Sequence, residues 1–173
     1  MKRDQFEIRL GRIKWLDDDF EKLDICAHGY VFVRIGDEIV SDSGTEWCVS
    51  AAALHLLRTL ESNHTKEKPV GEQLIPCCGH FLVADTDNDD VFVGCCPSGI
   101  DWEVRHANNQ VKLTTESGAE AIVSYDLYKE TVYTFADKVE AFYLISQPKE
   151  IEDEFDRKGY EKFWSEWHRR RNK

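Results

Sequence analysis

Two adjacent cysteine pairs, Cys77-Cys78 in the run IPCCGH and Cys95-Cys96 in the run GCCPSG, are the residues of this chain best suited to chemistry. The sequence between them reads as a hairpin, with strand-like Phe81 to Ala84 and Val91 to Gly94 on either side of an Asp-rich tip. Extending that ladder toward its base places His80 opposite Cys95. Strand side chains alternate faces, so Cys78, His80 and Cys95 share one face while Cys77 and Cys96 point away. Thiolate and imidazole ligands together suit a four-coordinate Zn²⁺. Cys26-Ala27-His28 adds ligands to that set if its strand lies alongside. Structural zinc sites more often use spaced knuckles that turn both sulfurs inward, whereas adjacent cysteines on a strand do not. Buried free thiols are therefore expected ahead of a metal site or a redox pair, because cysteine behaves in cores as a small hydrophobe.

The hairpin tip carries Asp85, Asp87, Asp89 and Asp90. Alternate carboxylates imitate the start of a calcium loop, but Asp90 stands where that loop needs Gly and Cys96 where it needs Glu, so the helix-loop-helix calcium motif is excluded. A solvated tip or an acidic docking patch remains. Nucleophilic catalysis has two pairings to draw on, Cys78 with His80 and Ser98 with His106, yet neither sits in a strand-to-helix elbow or beside an oxyanion-forming Gly loop. Phosphate-binding Gly-rich loops and H-E-x-x-H are absent. A binding role is accordingly expected ahead of an enzymatic one, with no cofactor.

Charge narrows the partners. Against 22 Lys and Arg stand 33 Asp and Glu, a formal net charge of -11, which opposes the phosphate neutralisation that nucleic-acid binding requires. A basic protein partner is favoured instead. The one basic cluster, His168 to Lys173, follows the last predicted helix and reads as a solvated tail complementing that helix's dipole. No apolar run approaches the roughly 20 residues that span a bilayer. The N-terminus MKRDQFEIRL alternates charged and apolar residues and lacks the apolar core of a signal peptide. A cytoplasmic protein with six reduced thiols is the expectation, without membrane contact.

The elements that must position these residues follow from periodicity. Phe6, Ile8 and Leu10 alternate as a first strand, and Leu23 to Val40 forms a hairpin around Gly36-Asp37. Ser43 and Glu46 form a capping box before Trp47, Val49, Ala53, Leu56, Leu57 and Leu60, predicting a helix over 44–62. After the 85–90 hairpin comes a second one around Asn108-Asn109, then a strand over 119–124. Val132, Phe135, Ala136, Val139 and Phe142 outline a helix ended by Pro148, and Ile151, Phe155, Phe163, Trp164 and Trp167 outline another. Grouped strands and grouped helices predict one α+β domain over 1–173: a mainly antiparallel sheet, one helix after the N-terminal strands and two C-terminal helices packed on the sheet.

In composition the chain is similar to bacterial immunity proteins, which are small, acidic and aromatic-rich and neutralise toxin domains that are often basic; the likeness covers no aligned motif. Three readings stand at this point. The first is an acidic cytoplasmic protein-binding module of immunity type, contacting a basic partner through Asp85, Asp87, Asp89, Asp90 and Trp102, with Asp17 to Asp19 as a possible extension of the patch. The second is a zinc-binding protein or metal-dependent enzyme using Cys78, His80 and Cys95. The third is a homo-oligomeric scaffold pairing through exposed aromatics.

Overall fold

The computed structural model describes residues 5–17, 19 and 21–173. Strands β1 (Phe6–Lys14), β2 (His28–Ile35) and β3 (Glu38–Cys48) form an antiparallel sheet in the order β1-β2-β3. Alternation along β2 sends Val31, Val33 and Ile35 into the core. Its turn into β3 needs glycine: Gly36 has φ +58, and a Cβ there would sit 2.6 Å from the Glu120 carbonyl oxygen.

Helix α1 (Val49–Thr59) starts five residues later than its sequence signal suggests. Strand pairing overrides the capping box, because Trp47 and Cys48 are held opposite Gly29 and His28 as the end of β3. Cys48 is the N-cap and makes no side-chain cap bond. Every residue of α1 is buried, so this helix is the centre of the core and not an amphipathic surface element.

Next come the short hairpin β4 (Phe81–Val83) and β5 (Phe92–Gly94), then an antiparallel three-stranded sheet of β6 (Glu103–Ala107), β7 (Gln110–Thr114) and β8 (Glu120–Ser124). The β6–β7 turn places Asn108 and Asn109 at φ 49 and 62, the left-handed region that Asn tolerates. Helix α2 (Tyr125–Ile145) begins on Ser124, whose hydroxyl accepts from the Leu127 N–H, and α3 (Glu154–Arg171) begins on Asp153, whose carboxylate accepts from the Asp156 N–H. The α+β class and the helix placement match the sequence expectation. The strands, however, divide into three antiparallel sheets around α1.

One core histidine has a measurable consequence. His55 on α1 is fully buried; its Nδ1 donates to the Gln73 carbonyl at 2.6 Å, and Nε2 has no partner among the described residues. Burial, helped by the nearby Arg58 charge, lowers its pKa to about 3. The unfolded chain therefore takes up a proton near the ordinary histidine pKa, while the folded chain stays neutral down to about 3. Stability should fall as pH drops through that window, with a slope approaching one proton. Urea unfolding between pH 7 and 4 should show a slope steeper by nearly one proton in the wild type than in His55→Asn, which keeps a donor for Gln73; equal slopes would remove His55 as a cause.

Candidate functional site

The four cysteines of the central hairpin lie outside its ladder. Ladder pairing runs Phe81 to Gly94, Leu82 to Val93 and Val83 to Phe92, and resumes beyond the cysteines as an isolated bridge between Ile75 and Ile100. Residues 76–80 and 95–99 form an internal opening between those two pairings, with a bend at Cys77 and a turn at Pro97-Ser98. Face alternation does not operate where there is no ladder. The sulfurs that converge are those of Cys77, Cys78 and Cys96, all within 4.8 Å of one another, and not the predicted set Cys78, His80 and Cys95.

Cys77 and Cys96 form a disulfide with Cα atoms 6.7 Å apart, and Cys26 and Cys48 form a second with Cα atoms 6.2 Å apart. The expectation of six reduced thiols is corrected accordingly. Cys78 and Cys95 are free and half-buried. Cys78 Sγ accepts a hydrogen bond from the Cys96 N–H at 3.2 Å. Cys95 Sγ instead faces the Val93 carbonyl at 3.7 Å, and burial pushes its thiol up to about 12. His80 is exposed and turns to a different feature, described below. His28 lies 3.9 Å from Cys26 Sγ beside the buried disulfide, and burial lowers its pKa. Ser98 and His106 are not a catalytic pair: the His106 ring bonds the Thr59 carbonyl at 2.6 Å, and Ser98 is an exposed turn residue.

The acidic tip is less free than its sequence suggests. Lys162 of α3 reaches into it and donates to the Ala84 and Asn88 carbonyls and the Thr86 hydroxyl at 2.6–2.9 Å. Asp90 is bound by Arg169 at 2.7 Å and Arg170 at 2.8 Å. Burial opposes ionisation of Asp90, but the Arg169 hydrogen bond and the charges of Arg170 and Arg58 hold its carboxyl below the usual range. Asp90 is thus an internal ion-pair partner, whereas Asp85, Asp87 and Asp89 stay exposed. Trp102 is 2% exposed and belongs to the core, so it is withdrawn as a contact residue.

The basic C-terminus is likewise no tail. Helix α3 runs through Arg171, and its last turn is laced to acids: His168 to Glu140, Arg170 to Glu61 and Glu166, Arg171 to Asp137, and Lys173 to Glu61. Phe163 and Trp167 are core residues, as their spacing implies; Phe155, by contrast, is 46% exposed.

A groove of about 720 Å³ lies between the segment after β1, the start of β4 and the entry to α3. Its apolar lining comes from Leu16, Leu23, Ile25, Phe81 and Ile151, of which Leu16, Leu23 and Phe81 are 67%, 58% and 50% exposed. Its carboxylates are Asp17, Asp24, Glu150, Glu152, Asp153 and Asp156, and no Lys or Arg lines it among the described residues. Asp24 shapes the wall by accepting from the Leu16 and Cys26 N–H groups, and Glu150 pairs with Lys22 at 2.9 Å. Glu152 and Asp156 project into solvent without a cation partner among the described residues. His80 lies on the same lining. Of the acidic run expected at 17–19, Asp17 joins this groove and Asp18 lies outside the described residues. No sequence signal marked the groove as a whole, because it is assembled from three distant segments. The run EIEDEFD at 150–156 was its one local trace.

No protein-family model, no curated protein and no solved structure matches the chain. Among the described residues no helix is long and apolar enough to cross a membrane.

Proposed function

We propose that this chain is an acidic protein-binding module that captures a basic protein domain in the groove beside Phe81, in the manner of an immunity protein covering a toxin domain. One observation carries the reading. Exposed apolar side chains and six carboxylates share one groove whose lining holds no Lys or Arg among the described residues, and of those carboxylates Glu150 is ion-paired, to Lys22. Large apolar groups in a concave site supply the anchors that slow dissociation, while the surrounding negative charge speeds encounter with a basic partner and rejects acidic ones. The formal charge of -11 extends that field over the whole molecule, with Asp85, Asp87 and Asp89 contributing. A second copy of the chain is a poor occupant, since it would set acid against acid.

Two fluorescent peptides of equal charge test the groove, one alternating Lys and Leu at helical spacing and one with Ser in place of Leu. The Lys/Leu peptide should bind saturably, weaken with added salt and bind at least about tenfold more tightly than the Lys/Ser peptide. Glu152→Lys with Asp156→Lys should weaken it at least about tenfold and flatten the salt dependence; Phe81→Ser should weaken it while leaving that dependence intact. Equal binding of the two peptides, undiminished binding to the charge-reversed protein, or no saturable binding would overturn the assignment.

A further inference from the structure

We propose that the internal opening of the cysteine hairpin is a redox-gated site for a thiophilic d¹⁰ metal ion of the Zn²⁺ class, with Cys77, Cys78 and Cys96 as ligands. The disulfide is the closed state of this site and the three-thiolate form is the open one. The inference is independent of the groove.

The facing of the two cysteine runs rests on backbone pairing at both ends of the opening, apart from the disulfide. Ile75 pairs with Ile100 on one side of the opening, with reciprocal N–H to carbonyl bonds of 3.0 and 2.8 Å, and Phe81 pairs with Gly94 on the other. Both pairings keep one register, so the two cysteine runs stay facing each other when the S–S bond opens. The Cys77 side is also clamped onto the core. The Pro76 carbonyl accepts from the Cys48 N–H at 2.9 Å, and Gly79 packs so closely on α1 and the end of β3 that a Cβ would lie 2.5 Å from Ala51 Cβ and 2.9 Å from Cys48 Sγ. A ligand set held by its scaffold loses little entropy on binding an ion.

The chemistry of the three sulfurs fits such an ion. With metal–sulfur bonds of about 2.3 Å, a tetrahedral Zn²⁺ holds its sulfurs about 3.8 Å apart. With Cys77 and Cys96 joined, Cys78 Sγ lies within 4.8 Å of both sulfurs. The Cys96 N–H directed at Cys78 Sγ at 3.2 Å fixes the orientation of that sulfur. All three residues are half-buried and not sealed in the core, which leaves small ions and thiols a route in. Soft thiolate sets select Zn²⁺ and Cu⁺ over hard cations. Cys95, with its sulfur on the Val93 carbonyl, and exposed His80 stand outside the set.

Opening and loading balance as follows. Two molecules of a small thiol supply two electrons and two protons: the Cys77–Cys96 bond breaks, two protein thiols form, and the reductant leaves as its own disulfide. Zn²⁺ then replaces three S–H protons with three S–Zn bonds; three protons are released and no electron moves. Removal of the ion returns three protons to the sulfurs, and exchange with a small-molecule disulfide, which accepts two electrons and two protons and leaves as two thiols, restores the Cys77–Cys96 bond. The Cys26–Cys48 bond, 0–1% exposed, is shielded from this exchange.

The test uses the full chain, reduced with a phosphine and desalted without oxygen, with Zn²⁺ as the probe in competition with a chromogenic chelator. Reduced wild type should bind one Zn²⁺ per chain and the oxidised chain none. Cys78→Ser should lower the affinity at least about 100-fold and Cys95→Ser no more than a few-fold. Co²⁺ loading of the reduced wild type, which needs no variant, should give near-ultraviolet charge transfer scaled to three thiolates. Absence of Zn²⁺ binding by a reduced chain with native circular dichroism, indifference to Cys78→Ser, equal loss in Cys95→Ser, or a Co²⁺ spectrum without sulfur ligation would overturn the proposal.

Discussion

Replacing Glu166 by Gln or Leu is expected to remove about 3–5 kcal/mol of stability, the cost of leaving a buried guanidinium group without its counter-charge. Glu166 is completely buried on α3 and accepts four hydrogen bonds: Arg58 Nε at 2.7 Å, Arg58 Nη2 at 2.9 Å, Arg170 Nε at 2.8 Å and the Val91 N–H at 2.8 Å. Arg58 in turn donates to the Val70 and Val91 carbonyls at 2.7 and 2.6 Å, so one guanidinium ties α1 to α3, to the loop before the cysteine hairpin and to β5's approach. Arg170 completes the cluster through Glu61 and Asp90. Every charge in it has an opposite neighbour; without Glu166, Arg170 keeps Glu61 and Asp90, while buried Arg58 loses its direct carboxylate partner. In a protein of this size the loss should lower the melting temperature by about 10–15 °C. Arg58→Met should be similarly severe. The Arg58→Met/Glu166→Leu double variant should be less destabilised than the sum of the singles by about 1–3 kcal/mol, the signature of a direct pair. A Glu166→Gln shift under about 1 kcal/mol, or strict additivity, would mean that water reaches this cluster and compensates.

That network shows where sequence reading stops. Arg58 and Glu166 are 108 positions apart, and nothing local to either predicts the other. The hint was Arg58 with His55 inside an otherwise apolar helix, where a buried charge demands a partner. What was legible is what local physics decides. The Asn108-Asn109 hairpin needs left-handed backbone at its tip, α2 and α3 have a three-four apolar period and capping residues, and the grouping of strands and helices gives the α+β class. The start of α1 was misplaced because a capping box is a local preference of about 1 kcal/mol. Pairing of β3 with β2 through Cys48 is a non-local gain that outweighs it. The cysteine geometry failed for a related reason. Alternation is a property of a paired strand, and the ladder ends at Phe81 and Gly94, one residue short of His80 and Cys95. The register was right, and its continuation at Ile75 and Ile100 shows it, but the backbone between the pairings is free to turn Cys77 inward. The basic C-terminus was read as solvated, when its side chains pair with acids, Asp90 of the tip among them; Asp85, Asp87 and Asp89 stay exposed, and Glu152 and Asp156 at the groove have no cation partner among the described residues.

The same seam between α3 and the cysteine hairpin yields the second large effect, one whose sign helix propensity alone gets wrong. Glycine inside a helix costs about 1 kcal/mol relative to alanine, so Gly159→Ala within α3 would ordinarily stabilise the protein. Here the helix backbone presses directly on β4. A Cβ on Gly159 would fall inside the van der Waals envelope of the Leu82 carbonyl oxygen, 2.7 Å from Leu82 C and 3.0 Å from Leu82 Cβ. The obstacle is backbone held in the β4–β5 ladder, which cannot rotate away as a flexible side chain would, so either the hairpin or the helix must shift. Overpacking of this kind should outweigh the propensity gain and leave Gly159→Ala about 1–3 kcal/mol less stable than wild type, with Gly159→Val worse. The displacement should also reach function. Phe81 faces the groove from β4 and sits 6.4 Å from Phe155 of α3, and Lys162, one turn beyond Gly159, holds the 84–88 loop. Thermal melts therefore measure the energetic half of this prediction, and the reactivity of the Cys78 thiol toward a disulfide reagent measures the other, since it should rise as the hairpin lifts. A Gly159→Ala protein at least as stable as wild type, with unchanged Cys78 reactivity, would mean that α3 and β4 are not in backbone contact.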